Sequence, residues 1–209
     1  MAQAPEISNK RHWQRYIYLW LNYAIFEELK AHDNERAKQV YERAIKLVPH
    51  REFSFSKLWV LFAHFLVRQK DLDRARKVFG MALGMCPRPK IFKAYAELEL
   101  QLGEVDRCRK IYERQVELFP SDSEAWIAYA EFEAALGEIE RAKSIYELAV
   151  EGTAGATIAL DQPENVWKAY IDFEVANANL PNATDLFERL LGKTKHVKVW
   201  LGFGWHMLE

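Results

Sequence analysis

The sequence predicts an all-α fold, an α-solenoid of helix–turn–helix units stacked in a right-handed superhelix, and three observations carry that expectation. An aromatic triad at helical spacing recurs five times, as Trp20-Tyr23-Phe26, Trp59-Phe62-Phe65, Phe92-Tyr95-Leu98, Trp126-Tyr129-Phe132 and Trp167-Tyr170-Phe173. Each triad is followed at a nearly fixed distance by an aliphatic–aromatic pair. Nine glycines and seven prolines in 209 residues are few for an all-β chain, whose turns recur roughly every 8 to 12 residues.

The triad defines the first helix of each unit. Four residues after its first aromatic stands a small residue, Ala24, Ala63, Ala96 or Ala130, with Ile171 the exception. Seven residues after it stands Glu27, Glu99, Glu133 or Glu174, with Leu66 the exception. Offsets of three, four and seven lie on one face of an α-helix. The second helix carries Val40-Tyr41, Val78-Phe79, Ile111-Tyr112, Ile145-Tyr146 and Leu186-Phe187. In the first four copies a basic turn precedes the pair: Arg36-Ala37-Lys38, Arg74-Ala75-Arg76, Arg107-Cys108-Arg109 and Arg141-Ala142-Lys143. The fifth has Asn182 and Thr184 instead.

From triad to pair the distance is 21 residues once and 20 four times, whereas the return distance runs 18, 13, 14, 21 and 13. Constancy within a unit and variation between units place the insertions in connecting loops, around Arg51–Ser56 and Gly152–Pro163, where length is tolerated. Breakers mark the turns inside the units: Asp33-Asn34, Asp71, Gly103, Gly137 and Pro181-Asn182. Pro49, Pro87 and Pro120 close the first three second helices. One such hairpin leaves apolar surface exposed and is stabilised by stacking on its neighbours. Residues 1–209 are therefore expected to form a single array of five hairpins and the first helix of a sixth, around Trp200 and Phe203, belonging to a longer solenoid.

Half the residues are hydrophobic and 28% charged, a balance that suits a folded chain with a buried core. No apolar run approaches the roughly 18 residues of a membrane span, so no membrane partner is expected. Two cysteines, Cys86 and Cys108, cannot staple a chain of this size and favour a reducing compartment. The net charge of −1 conceals an asymmetry: residues 1–120 carry 22 Lys and Arg against 15 Asp and Glu, and residues 121–209 carry 7 against 15.

Tyr or Phe three residues after the first aromatic, and Glu at seven, depart from the tetratricopeptide pattern of Leu, Gly and Tyr. They resemble the half-a-TPR (HAT) repeat. The stretches Arg15–Ala24, Glu97–Tyr112, Trp167–Glu174 and Thr194–Trp200 further resemble the crooked neck-like pre-mRNA splicing factors. That resemblance implies a nuclear, non-enzymatic HAT scaffold whose partners are other proteins of the Prp19-associated complex of the spliceosome. A HAT scaffold of mRNA 3′-end formation or pre-rRNA processing, and a direct RNA-binding module, are the alternatives.

No catalytic, cofactor-binding or metal-binding residues are expected. The six histidines include no pair at the i, i+4 spacing of a helical metal site, and the cysteines form no CxxC. Neither GxGxxG nor GxxxxGK[ST] occurs. Repeat-phased aromatics read as packing residues rather than base-stacking platforms, and Cys108, where other units have alanine, reads as a small packing residue. The glutamates share the buried face, so they are expected to accept hydrogen bonds from a Tyr hydroxyl, an Arg or a backbone N–H. The candidate partner-binding residues are Arg68, Lys70, Arg76, Lys77, Arg88, Lys90 and Lys93. They read either as a solvated face or as a docking edge for an acidic protein segment or an RNA backbone. Self-association through exposed end faces, near Trp200, Phe203 and Trp205, is a further expectation.

Overall fold

The computed structural model describes residues 10–50, 52–53, 55–152 and 158–193. They form α1 (Lys10–Leu29), α2 (Asn34–Leu47), α3 (Ser56–Arg68), α4 (Leu72–Met85), α5 (Pro89–Gln101), α6 (Val105–Leu118), α7 (Ser123–Ala135), α8 (Ile139–Glu151), α9 (Pro163–Ala176) and α10 (Leu180–Lys193). Two compact units divide the chain, residues 1–111 and 112–209. In the first, α1 packs on α2, α3 on α4, and α5 against both α3 and α4. In the second, α7 packs on α8, α9 on α10, and α9 against both α7 and α8. These are four of the five hairpins that the spacing predicts, and α5 and α6 are the two helices expected of the other. The expected sixth helix, with Trp200 and Phe203, lies outside the described residues.

Local chemistry sets the helix ends. Asp33, Asp71 and Asp122 cap α2, α4 and α7 by accepting hydrogen bonds from the backbone N–H groups of Arg36, Arg74 and Ala125. Pro49, Pro87 and Pro120 each stand two residues past the end of α2, α4 and α6, where a missing N–H cannot continue the helix. Pro181 departs from expectation. It lies in the first turn of α10 rather than in the preceding turn, a position where its missing N–H has no intrahelical partner to lose.

The hairpin turns share one device. His32, Lys70, Gly103, Gly137 and Ala178 all have left-handed backbone, with φ between 56° and 81°. Beyond the last four, the next N–H donates to the carbonyl of the residue seven positions into the triad helix: Asp71 to Leu66, Glu104 to Glu99, Glu138 to Glu133 and Asn179 to Glu174. This closes α3, α5, α7 and α9 by a Schellman-type bond. Only two of the five positions carry the residue that tolerates the conformation freely. Replacing Ala178 with glycine is therefore expected to stabilise the chain by about 0.5–1 kcal/mol, the left-handed strain relieved less the chain entropy added, read as a higher melting temperature.

Between hairpins the packing repeats ring for ring. Tyr41 of α2 stacks on Phe62 of α3 at 5.2 Å and meets Phe65 at 5.5 Å. Phe79 of α4 stacks on Tyr95 of α5 at 4.9 Å. In the second unit Tyr112 stacks on Tyr129 at 5.7 Å, and Tyr146 on Tyr170 at 5.1 Å. The aromatics of α2, α4, α6 and α8 thus seat on the triad of the following hairpin, a contact worth about 0.5–1.5 kcal/mol beyond the area it buries. Trp59, Trp126, Tyr129, Tyr146 and Trp167 are buried as expected, while Tyr95 is only half-buried. In the first hairpin, Tyr23 and Phe26 remain 37% and 55% exposed, because among the described residues no second helix precedes them.

His50, after α2, is buried with its ring 5.0 Å from that of Trp59, and its Nε2–H donates to the carbonyl of Ile45. Burial pushes its pKa below the usual histidine value, against the opposing pull of that carbonyl. A base whose folded pKa is depressed contributes stability above its unfolded pKa and loses it as pH falls. Chemical denaturation should show stability falling below about pH 6.5, with His50→Phe blunting that dependence.

Candidate functional site

Acid–base pairs around the four repeat-phased glutamates, all buried, draw on the first and third residues of the basic turns. The first points to its own hairpin: Arg36 lies 3.2 Å from Glu27, and Arg141 lies 3.8 Å from Glu133. The third points onward to the next hairpin: Arg76 binds Glu99 through two nitrogens at 2.8 Å each, and Lys143 lies 3.9 Å from Glu174. Glu174 also accepts from the side-chain amides of Asn179, at 2.8 Å, and Asn182, at 3.4 Å. Asn182 occupies the position of the first basic residue, so the fifth hairpin replaces an ion pair with a neutral donor. Arginine was an expected donor to the glutamates, whereas lysine and asparagine at Glu174 were not.

These pairs divide the candidate partner-binding residues. Arg76 is half-buried and committed to Glu99, with Glu104 a further 3.6 Å away. Arg68 is committed to buried Glu28 on α1 through two bonds of 2.7 and 2.8 Å, which raise its already high pKa. Glu28 lies outside the repeat pattern and carried no signal in the spacing. Lys70, Lys77, Arg88, Lys90 and Lys93 are exposed. They do not form one compact cluster. Lys70 sits in the turn before α4, Lys77 on its middle, and Arg88 and Lys90 beyond its far end, so the charge is spread along a helix about 20 Å long. Met81 and Met85, exposed on α4 among these cations, were not singled out by the sequence reading.

Two open clefts accompany these surfaces. One, of about 700 Å³, lies on the first hairpin between Leu19, Trp20 and Tyr23 of α1 and Arg36, Arg43 and Lys46 of α2. The other, of about 390 Å³, is lined by Glu131, Asn165, Lys168 and Asp172 above Tyr146. Both cysteines are buried, and burial pushes the Cys108 thiol above its usual range, which opposes thiolate chemistry. The Cys108 thiol donates to the carbonyl of Ala96 at 3.6 Å, the packing role expected from its place in the repeat. Among the described residues no group of three or more His, Cys, Asp or Glu is placed to hold a metal ion. No helix among them is long and apolar enough to cross a membrane.

Stacked antiparallel hairpins joined by repeat-phased rings and carboxylates define a class, the α-solenoid of HAT repeats. Two family models match within it: the Pre-mRNA-splicing factor Syf1/CRNKL1 C-terminal HAT repeat over residues 16–127, and the PRP39 N-terminal HAT repeat over residues 88–199. The chain is 51% identical over 203 residues to crooked neck-like protein 1 of Homo sapiens and 51% identical to pre-mRNA-splicing factor clf1 of Aspergillus fumigatus. It is 50% identical to protein crooked neck of Drosophila melanogaster. Each match covers 97% of this chain but only 23%, 29% and 28% of the respective relative. The chain belongs to the crooked neck-like (CLF1) family and spans about a quarter of the length of these relatives.

Proposed function

We propose that this chain is a non-enzymatic scaffold segment of the spliceosome, acting in the nucleus within the Prp19-associated complex. The observation that carries the reading is about 50% identity over 97% of the chain to proteins named as pre-mRNA-splicing factors and crooked neck proteins. The arrangement of the hairpins supports it. Within each compact unit, neighbouring hairpins are joined by ring stacks and ion pairs to buried carboxylates, which holds their surfaces at set intervals, as binding to several proteins requires. Such a segment works by geometry: it keeps partners in register and needs no chemistry of its own. Residues 1–209 act in this reading as one continuous array within a longer solenoid.

Crosslinking mass spectrometry of the chain in nuclear extract tests the proposal. The expected result is crosslinks from lysines on the second helices to subunits of the Prp19-associated complex. Crosslinks confined to cleavage or pre-rRNA processing factors would overturn it, and crosslinks to RNA alone would replace the scaffold with an RNA-binding module.

A further inference from the structure

Helix α4 presents to solvent a face unlike those of the other second helices. Counting one, two, five and six residues past the stacked aromatic, α2 carries Glu42, Arg43, Lys46 and Leu47, and α6 carries Glu113, Arg114, Glu117 and Leu118. At the first three of these positions α8 carries Glu147, Leu148 and Glu151. In α4 the four residues are Gly80, Met81, Gly84 and Met85. α2, α6, α8 and α10 all keep a glutamate at the first position, and α2, α6 and α10 an arginine at the second; α4 has no charge at either, while Met85 stands where α2 and α6 carry leucine and Gly84 matches Gly192 of α10. Both methionines are about half exposed, 51% and 53%. Among the described residues a Cβ built on Gly80 or Gly84 would meet nothing within 4 Å, so no described neighbour explains a residue that weakens helices. Around this apolar strip stand exposed cations: Lys77 one turn before Met81, Arg88 and Lys90 just past the helix, and Lys70 just before it. The only acid within α4 is Asp73, in its first turn.

We propose that the outer face of α4 is a docking site for one amphipathic helix of another protein, with an apolar stripe and acidic flanks. The proposal rests on the scaffold reading above and names one of its surfaces. The basic rim selects an acidic partner, since opposite charge steers encounter and rejects basic competitors. The strip itself selects a helix. Two missing side chains leave a shallow channel for close approach, and unbranched methionines adapt to the facing residues. A phosphate backbone would use the cations but gain nothing from the strip, which has no exposed aromatic ring on which bases could stack.

The test measures binding to the full chain by fluorescence anisotropy with three probes: a synthetic amphipathic helix with a leucine stripe and glutamate flanks, the same helix with lysine flanks, and oligouridylate RNA. The glutamate-flanked helix should bind at least about tenfold more tightly than either other probe. The variant Gly80→Glu/Met81→Arg/Gly84→Lys, which installs the residues of α2, should weaken that binding about tenfold or more. It should nevertheless melt at or above the wild-type temperature, because better helix formers replace glycine. Lys77→Glu/Lys90→Glu should also weaken it and reduce its salt dependence. Unchanged binding by the triple variant, equal affinity for the lysine-flanked helix, or preference for the RNA would overturn the proposal. Crosslinking to splicing subunits reads the scaffold proposal separately: wild-type chain that crosslinks normally but ignores the helix probe refutes only this docking site.

Discussion

Replacement of Trp126 by alanine is expected to destabilise the second unit by about 3–5 kcal/mol, the range for a large aromatic removed from a core. Trp126 is buried, and its indole N–H donates to the carbonyl of Pro120 at 2.8 Å. The substitution therefore opens a cavity and also strips a partner from the carbonyl that follows α6. Since α7 packs on both α8 and α9, hydrogen exchange should rise across all three helices rather than in α7 alone. An unchanged melting curve would contradict the packing role of the repeated aromatics.

The second large effect concerns charge. Arg76→Met is expected to cost about 3–5 kcal/mol, because it leaves the fully buried carboxylate of Glu99 without its two-point partner. The double variant Arg76→Met/Glu99→Leu should recover most of that loss, since an apolar pair of similar volume removes the uncompensated charge. A double-mutant cycle by urea denaturation measures the coupling. An additive cycle would mean that the pair contributes nothing beyond its two separate side chains. The result also bears on partner binding: a salt-sensitive interaction attributed to Arg76 must first be separated from damage to the fold.

Much of the architecture was legible because a repeat states its rule several times. Constant spacing between triad and pair located the helix pairs of the described residues, and the glutamates announced their burial by sharing the face of the aromatics. What escaped was whatever depends on chain reversal or on a single copy. The left-handed turns at His32, Lys70 and Ala178 carry no glycine, so residue type gave no sign of their backbone. Pro181 read as a turn residue because proline serves turns and first helical turns equally. Arg68 looked like a surface cation until folding brought it to Glu28, 40 positions earlier. The departure of α4 from its sister helices was visible in the sequence, but it acquires meaning only once the exposed positions are known.

The two-way use of the basic turn has a consequence for how such an array can grow. Where it operates, a buried glutamate is the socket and the third residue of the preceding hairpin's basic turn is the plug, as Arg76 with Glu99 and Lys143 with Glu174 show. Rings can slide by a turn and find other apolar neighbours, but a plug displaced from its socket leaves a carboxylate stranded in the core. A whole hairpin that carries both, as the fourth does with Glu133 and Lys143, can be copied in place and close on both sides. A few residues inserted inside a hairpin would move plug and socket apart at once. Lengthening by whole units and intolerance of anything smaller are thus two expressions of the same charges.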